Sequence, residues 1–225
     1  MELNRYVRNI RVGIISSACL SMILLFAFTG CKSGSDEKVN EPEPSPSKVE
    51  IKQVAPKDIR KVTLKTSLGD IVVELDEKAA PLTTKNFLAY VEKGHYRGTV
   101  FHRVINGFMI QGGGFDESFK KLQTMPPVKN EADNGLKNAR GTISMARTPD
   151  INSASDQFFI NLADNKPLDH RDASSNGFGY CVFGKVISGM EVVDRIAKVK
   201  TGSKGMHRDV PVENIVIKDA VLGAP

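Results

Sequence analysis

A chain of 225 residues, 40% hydrophobic and 25% charged, has an ordinary globular composition and the length for one domain with accessory segments. Its formal net charge of +5 falls to about +3 once the first thirty residues, with Arg5, Arg8, Arg11 and Glu2, are set aside. No Lys/Arg block stands out in the remainder, which excludes the charge balance of a nucleic-acid-binding protein.

Residues 1–30 read as a targeting segment. Arg5, Arg8 and Arg11 form a positive start, Val12 to Phe28 an apolar stretch, and Phe28-Thr29-Gly30 a small-residue approach to cleavage, with Cys31 directly after. The arrangement resembles the lipobox of bacterial lipoproteins, with Phe28 where that motif usually has leucine. The resemblance implies a diacylglycerol on the Cys31 sulfur and a periplasm-facing place in a bacterial cell envelope. Lys32, standing where some inner-membrane lipoproteins carry aspartate, leans toward the outer membrane. An uncleaved signal anchor is the other reading, because the apolar run approaches the length of a bilayer span. The polar break at Thr29-Gly30-Cys31-Lys32 favours the lipoprotein.

Residues 31–58 hold Pro42, Pro44, Pro46 and Pro56 among serines and mixed charges, with hardly any bulky apolar groups. Such a segment buries too little surface to offset its ordering entropy and is expected to be a disordered, extended spacer. A proline-rich docking ligand is the rival reading, but no basic or aromatic-flanked recognition motif accompanies it. With Cys19 in the signal and Cys31 given to lipid, Cys181 is alone in a domain expected over 59–225. No disulfide is available there, and a cysteine in the strand-like run Tyr180 to Gly184 is expected to be buried and inert.

From about Ile59 the pattern changes to short strands. Val62 to Thr66 and Ile71 to Leu75 flank Ser67-Leu68-Gly69-Asp70, a hairpin signal in which Gly69 supplies a positive φ. Pro81 opens a helix with Phe87, Leu88 and Val91 on one side, and Gly94 closes it. Further strands are expected over Val100 to Val104, Phe108 to Gln111, Thr142 to Ala146, Phe158 to Asn161, Tyr180 to Val186 and Ile215 to Leu222, and a second helix over Met190 to Ala197. Many strands, two helices and no βα alternation predict a mainly β fold, a closed or nearly closed antiparallel barrel.

The run Phe101 to Gly114 carries the strongest functional signal. It places Arg103 and Gln111 on strands amid bulky apolar side chains, with Gln157-Phe158-Phe159-Ile160-Asn161 further on and no nucleophile, metal cluster or acid/base pair nearby. That set suits a reaction without bond cleavage. Alternation places His102 on the sheet face opposite Arg103, as a structural residue. Gly112 to Gly114 are not followed by Gly-Lys-Ser/Thr and so read as a tight bend, not a phosphate loop. The four histidines have no metal-ligand spacing, and Ser153 and Ser155 have no evident histidine partner. Arg103 paired with Glu131, and Phe108, Met109 and Phe159 as plain core, are the bland readings.

Five segments in order, Phe101 to Gly114, Asn130-Glu131-Ala132, Gly141 to Arg147, Gln157 to Asn161 and Phe183-Gly184-Lys185-Val186, resemble the signature blocks of cyclophilins, most like the bacterial branch. The resemblance implies a closed eight-stranded antiparallel barrel capped by two α-helices, and peptidyl-prolyl cis-trans isomerase activity on proline-containing polypeptides, with no cofactor and no metal. It makes Arg103 the catalytic arginine and Gln111 its support. Phe108, Met109, Phe159 and Leu168 become the proline pocket, Ala146 and Arg147 the wall for the residue before proline, and Gln157 and Tyr180 neighbours in the groove. A non-catalytic proline-peptide-binding chaperone module on the same fold is the alternative; an intact Arg103, Phe108, Gln111 and Phe159 favour catalysis. Pro167 stands where many eukaryotic members carry a cyclosporin-contacting tryptophan, so weak cyclosporin binding is expected. No long apolar helix face calls for a partner subunit, so a monomer is expected.

Overall fold

The computed structural model of the chain describes residues 60–223. The expected signal segment, Cys31 and the whole of the expected spacer lie outside the described residues. In chain order the elements are β1 (Lys61–Thr66), β2 (Gly69–Leu75), α1 (Pro81–Glu92), β3 (Thr99–Ile105), β4 (Met109–Asp116), β5 (Thr142–Met145), β6 (Phe158–Asn161), β7 (Val182–Ser188), α2 (Met190–Ala197), β8 (Thr201–Lys204), β9 (His207–Pro211) and β10 (Val216–Leu222). Eight strands close into a barrel in the order β1-β10-β3-β4-β6-β5-β7-β2, every pairing antiparallel, and β8 and β9 form a separate hairpin. The expected closed barrel with two helices is therefore what the chain forms.

Alternation builds the inside. Val62, Leu64, Ile71, Val73 and Leu75 of β1 and β2 are buried while their neighbours are half-buried or exposed. Gly69 turns this first hairpin with a φ of +127°, as the sequence predicts. Closure leaves none of the eight barrel strands with a free edge. Both helices pack on the barrel, α1 against β10 and α2 against β2. α1 follows Leu75 and inserts Phe87 among Tyr96, Phe158 and Phe183, with ring centroids 5.1 to 5.7 Å away. α2 lies over Gly69, where a Cβ would stand 3.0 Å from Val192.

The start of α1 has no cap of its own, since Ala80 offers no side-chain oxygen. Glu131, forty-eight residues beyond Thr83, supplies it: its carboxylate accepts hydrogen bonds from the backbone of Leu82 (3.1 Å) and Thr83 (2.8 Å) and from the Thr83 hydroxyl (2.8 Å). Glu131 is thereby occupied, which removes it as a partner for Arg103.

Two expectations about the Phe101 to Gly114 run are corrected. β4 does not stop at Gln111 for a bend but continues through the glycines to Asp116. The glycines serve close approach: a Cβ would stand 3.0 Å from Phe101 at Gly112, 2.9 Å from Tyr96 at Gly113 and 2.5 Å from Gln157 at Gly114. The second correction concerns His102. Phe101 faces Gly112 and Arg103 faces Gln111, so β3 advances two residues where β4 advances one. His102 is the extra residue of a β-bulge and lines the same recess as Arg103.

Candidate active site

That bulge decides where Arg103 points. Unbroken alternation would give Arg103 the face of Phe101, which is buried inside the barrel. The bulge returns Arg103 to the outer face, where cross-strand register sets it in one row with Gln111 on β4 and Phe159 on β6. The next outer row holds Ile105, Met109 and Asn161. Between these rows lies an inner one of Val104, Ile110, Ile160 and Ile143, all buried in the core. The site therefore rests on the outside of a rigid wall whose inside is packed.

Met109 and Phe159 form the buried floor of this surface, and Phe108, Leu168 and Tyr180 are half-buried around it. The Phe159 and Tyr180 rings meet edge to face at 5.7 Å. A buried amide network that the sequence did not reveal ties these side chains together. Asn165 Nδ2 donates to the Phe108 carbonyl (2.8 Å) and to Asn161 Oδ1 (2.7 Å); Asn161 Nδ2 donates to Thr142 Oγ1 (2.9 Å) and Asn138 Oδ1 (3.3 Å). Asn138 Nδ2 donates in turn to the carbonyls of Leu168 (3.1 Å) and Tyr180 (3.3 Å). Networks satisfied in this way fix the positions of their members. The sequence offered little hint, since only Asn161 stands among apolar neighbours while Asn138 and Asn165 stand beside charged residues.

Gln111 Nε2 donates to Gln157 Oε1 at 2.9 Å. That bond leaves the Gln111 carbonyl oxygen and the Gln157 amide hydrogens without a partner among the described residues. Arg103 makes its one ion pair with Asp209, Nε to Oδ2 3.9 Å, both side chains nearly half exposed. Arg147 is spent otherwise. Its guanidinium donates to the carbonyls of Gly179 (2.9 Å), Thr148 (2.9 Å) and Ser175 (2.7 Å) and lies over the Tyr180 ring at 5.0 Å, so its N–H groups are taken up in bracing the groove wall. The Ala146 N–H is bonded to the Gln157 carbonyl (2.9 Å). The groove thus runs from the Arg103 end across Gln111, Met109 and Phe159 to the Tyr180–Arg147 end.

A recess of about 510 Å³ opens at the Arg103 end, lined by His102, Arg103, Gln111, Phe115, Gln157 and the β9 residues His207 to Asp209. A larger cavity of about 770 Å³, between the end of β2, the start of α1 and β7, contains none of the site residues. Burial, with His207 nearby, lowers the His102 imidazole to about 4, so this ring is neutral beside the arginine.

Nothing in the site is poised for bond cleavage. Burial pushes the Cys181 thiol up to about 11, against a weaker opposing hydrogen bond from Thr83. Ser155 donates to Asp156 (3.2 Å), and His95 meets the other oxygen of the same carboxylate (3.1 Å). The acid stands between serine and histidine, which leaves the hydroxyl without a base. Among the described residues no group of His, Cys, Asp and Glu is arranged to hold a metal ion.

The family model described as cyclophilin type peptidyl-prolyl cis-trans isomerase/CLD matches residues 61–222. The chain belongs to the cyclophilin-type peptidyl-prolyl cis-trans isomerases. It is similar to peptidyl-prolyl cis-trans isomerase A of Dickeya dadantii, 57% identical over 161 residues that cover 72% of this chain and 83% of that protein. It is also similar to peptidyl-prolyl cis-trans isomerase B of Escherichia coli, 54% identical over 161 residues, 72% of this chain and 98% of that one. A crystal structure of a Cryptosporidium parvum cyclophilin type isomerase superposes with a TM-score of 0.61 at 30% identity, covering 75% of this chain and 99% of that one. As a cyclophilin this chain is an enzyme that acts on proline-containing peptides.

Proposed function

We propose that this cyclophilin accelerates rotation about X-Pro bonds during the folding of exported proteins, with Arg103 as the donor to the twisted proline nitrogen. Rotation must break amide resonance over a barrier of roughly 18 to 20 kcal/mol. In the twisted transition state the proline nitrogen regains a localised lone pair and accepts a hydrogen bond, which it does not do in the planar amide. A donor aimed at that nitrogen binds the transition state and not the ground state. Arginine suits the task, since it stays protonated and presents a rigid fork of N–H groups.

The observation that carries the proposal is the cross-strand row Arg103–Gln111–Phe159 on the outer face, which sets a cation beside an apolar floor. Met109 and Phe159, with Phe108 and Leu168 at the sides, receive the proline ring. Gln111 and Gln157 hold the peptide between that pocket and the arginine, and Ala146, Arg147 and Tyr180 wall the side of the preceding residue. An acceleration of around 10⁵ corresponds to about 7 kcal/mol, within reach of a charged donor plus positioning of the bond. No cofactor is needed. A protease-coupled assay on a proline tetrapeptide, wild type beside Arg103→Ala, tests the proposal; equal rates would end it.

The setting is part of the same proposal. Residues 1–30 act as a lipoprotein signal, Cys31 carries the lipid, and residues 31–58 tether a monomeric domain on the periplasmic side of the envelope, at the outer membrane. Support comes from the order of positive start, apolar run and Thr29-Gly30-Cys31. Labelling of cells with a clickable fatty acid is expected to mark the wild-type protein and to fail with Cys31→Ala; label on the variant would refute the anchor.

A further inference from the structure

The carboxylate that faces Arg103 comes from the β8–β9 hairpin, which the sequence-based site did not include. Asp209 has a φ of +60°, one of two non-glycine residues among those described with a positive value. Aspartate visits this region more readily than most residues, yet it stays there only where its surroundings impose it. Here they do. Val210 and Pro211 are buried next to it. The His207 ring packs on Phe115 (5.1 Å) and Phe119 (5.9 Å), and the Lys204 ammonium lies 4.0 Å over the Phe119 ring. The hairpin is thus anchored on an aromatic patch of β4 and the turn after it, with β9 against β3.

At 3.9 Å from Arg103 Nε, the Asp209 carboxylate is beyond hydrogen-bond reach and acts as a fixed negative charge on one edge of the guanidinium. Arg208, His207 and His102 also line the recess, so Asp209 is the one acid among its basic groups. The terminal N–H groups of Arg103 have no hydrogen-bond partner among the described residues, so they are the donors left for a bound peptide.

We propose that Asp209 is a positioning residue for Arg103: the hairpin holds its carboxylate where it draws the Nε edge aside and turns the terminal N–H groups toward the proline nitrogen. This rests on the reading of Arg103 as the donor. Asparagine has nearly the same size and tolerates the left-handed backbone, so Asp209→Asn removes the charge alone. For a half-exposed pair the expected loss is about three- to fivefold in kcat at nearly unchanged KM. Added salt, which screens exposed charges, is expected to lower the wild-type rate toward that of the variant and to leave the variant unchanged. In an Arg103→Ala background, Asp209→Asn is expected to change nothing further. Full activity in Asp209→Asn, or the same loss in both backgrounds, would overturn the proposal, with thermal unfolding confirming that each variant is folded. Arg103→Ala with undiminished activity is a different failure, because it removes the donor itself and the positioning role with it.

Discussion

At the scale of single residues, the site depends on groups whose neighbours settle their state. Arg103 was legible as an arginine that needed a reason, but its direction was not, because the bulge at His102 cannot be read from alternation. His102 is held neutral by burial, at about 4 against an ordinary 6.5. The unfolded chain therefore takes up a proton there before the folded one does. The stability this contributes is complete above pH 6.5 and is lost as pH falls toward 4, up to roughly 3 kcal/mol. Urea unfolding at pH 7 and pH 4.5 is expected to show a smaller acid loss for His102→Gln than for the wild type; an equal loss would place the titration elsewhere. Gly114 is a second such position. An added methyl would meet Gln157 at 2.5 Å, so Gly114→Ala is expected to displace Gln157 from Gln111, lower kcat/KM several-fold and cost about 1 to 3 kcal/mol of stability. Wild-type kinetics in that variant would show that the glutamine pair does not hold the peptide.

Secondary-structure elements were legible where they alternate or carry strong punctuation. β1, β2 and both helices follow their apolar spacing, with Gly69 and Gly94 at the expected turns. β8 and β9 were missed because Thr201 to Lys204 are all exposed and carry no apolar side chain, and only Val210 and Pro211 at the end of β9 are buried. A hairpin held by stacking on Phe115 and Phe119 leaves no period to read. The cap of α1 was equally hidden, since it comes from Glu131 across the fold. Replacing Glu131 with alanine is expected to cost about 1 to 2 kcal/mol and to lower the melting temperature by roughly 2 to 8 °C. An unchanged melting temperature would show that the cap adds nothing to stability.

For the whole molecule, a closed barrel explains how the groove keeps its shape. The Arg103, Gln111 and Phe159 row is fixed by the register of β3, β4 and β6, and the amide network around Asn138 locks the loops that carry Leu168 and Tyr180 onto that wall. The row could be foreseen only through the likeness of ordered motifs, since the partners lie up to fifty-six residues apart in the chain. Because β1 is paired on both sides, a chain beginning at residue 60 is expected to fold and to keep full kcat/KM on a short proline peptide. A large loss on truncation would give residues 1–59 a part in catalysis. With arginine as donor and His102 titrating near 4, turnover is also expected to vary little between about pH 5.5 and 8.5. The central claim is that Arg103 binds the twisted bond and not the planar one. Exchange-broadened NMR of a proline peptide gives the rotation rate on the enzyme and the dissociation constant separately. In Arg103→Ala the rate is predicted to fall by about a hundredfold or more while the dissociation constant changes little; a preserved rate with weakened binding would contradict the claim.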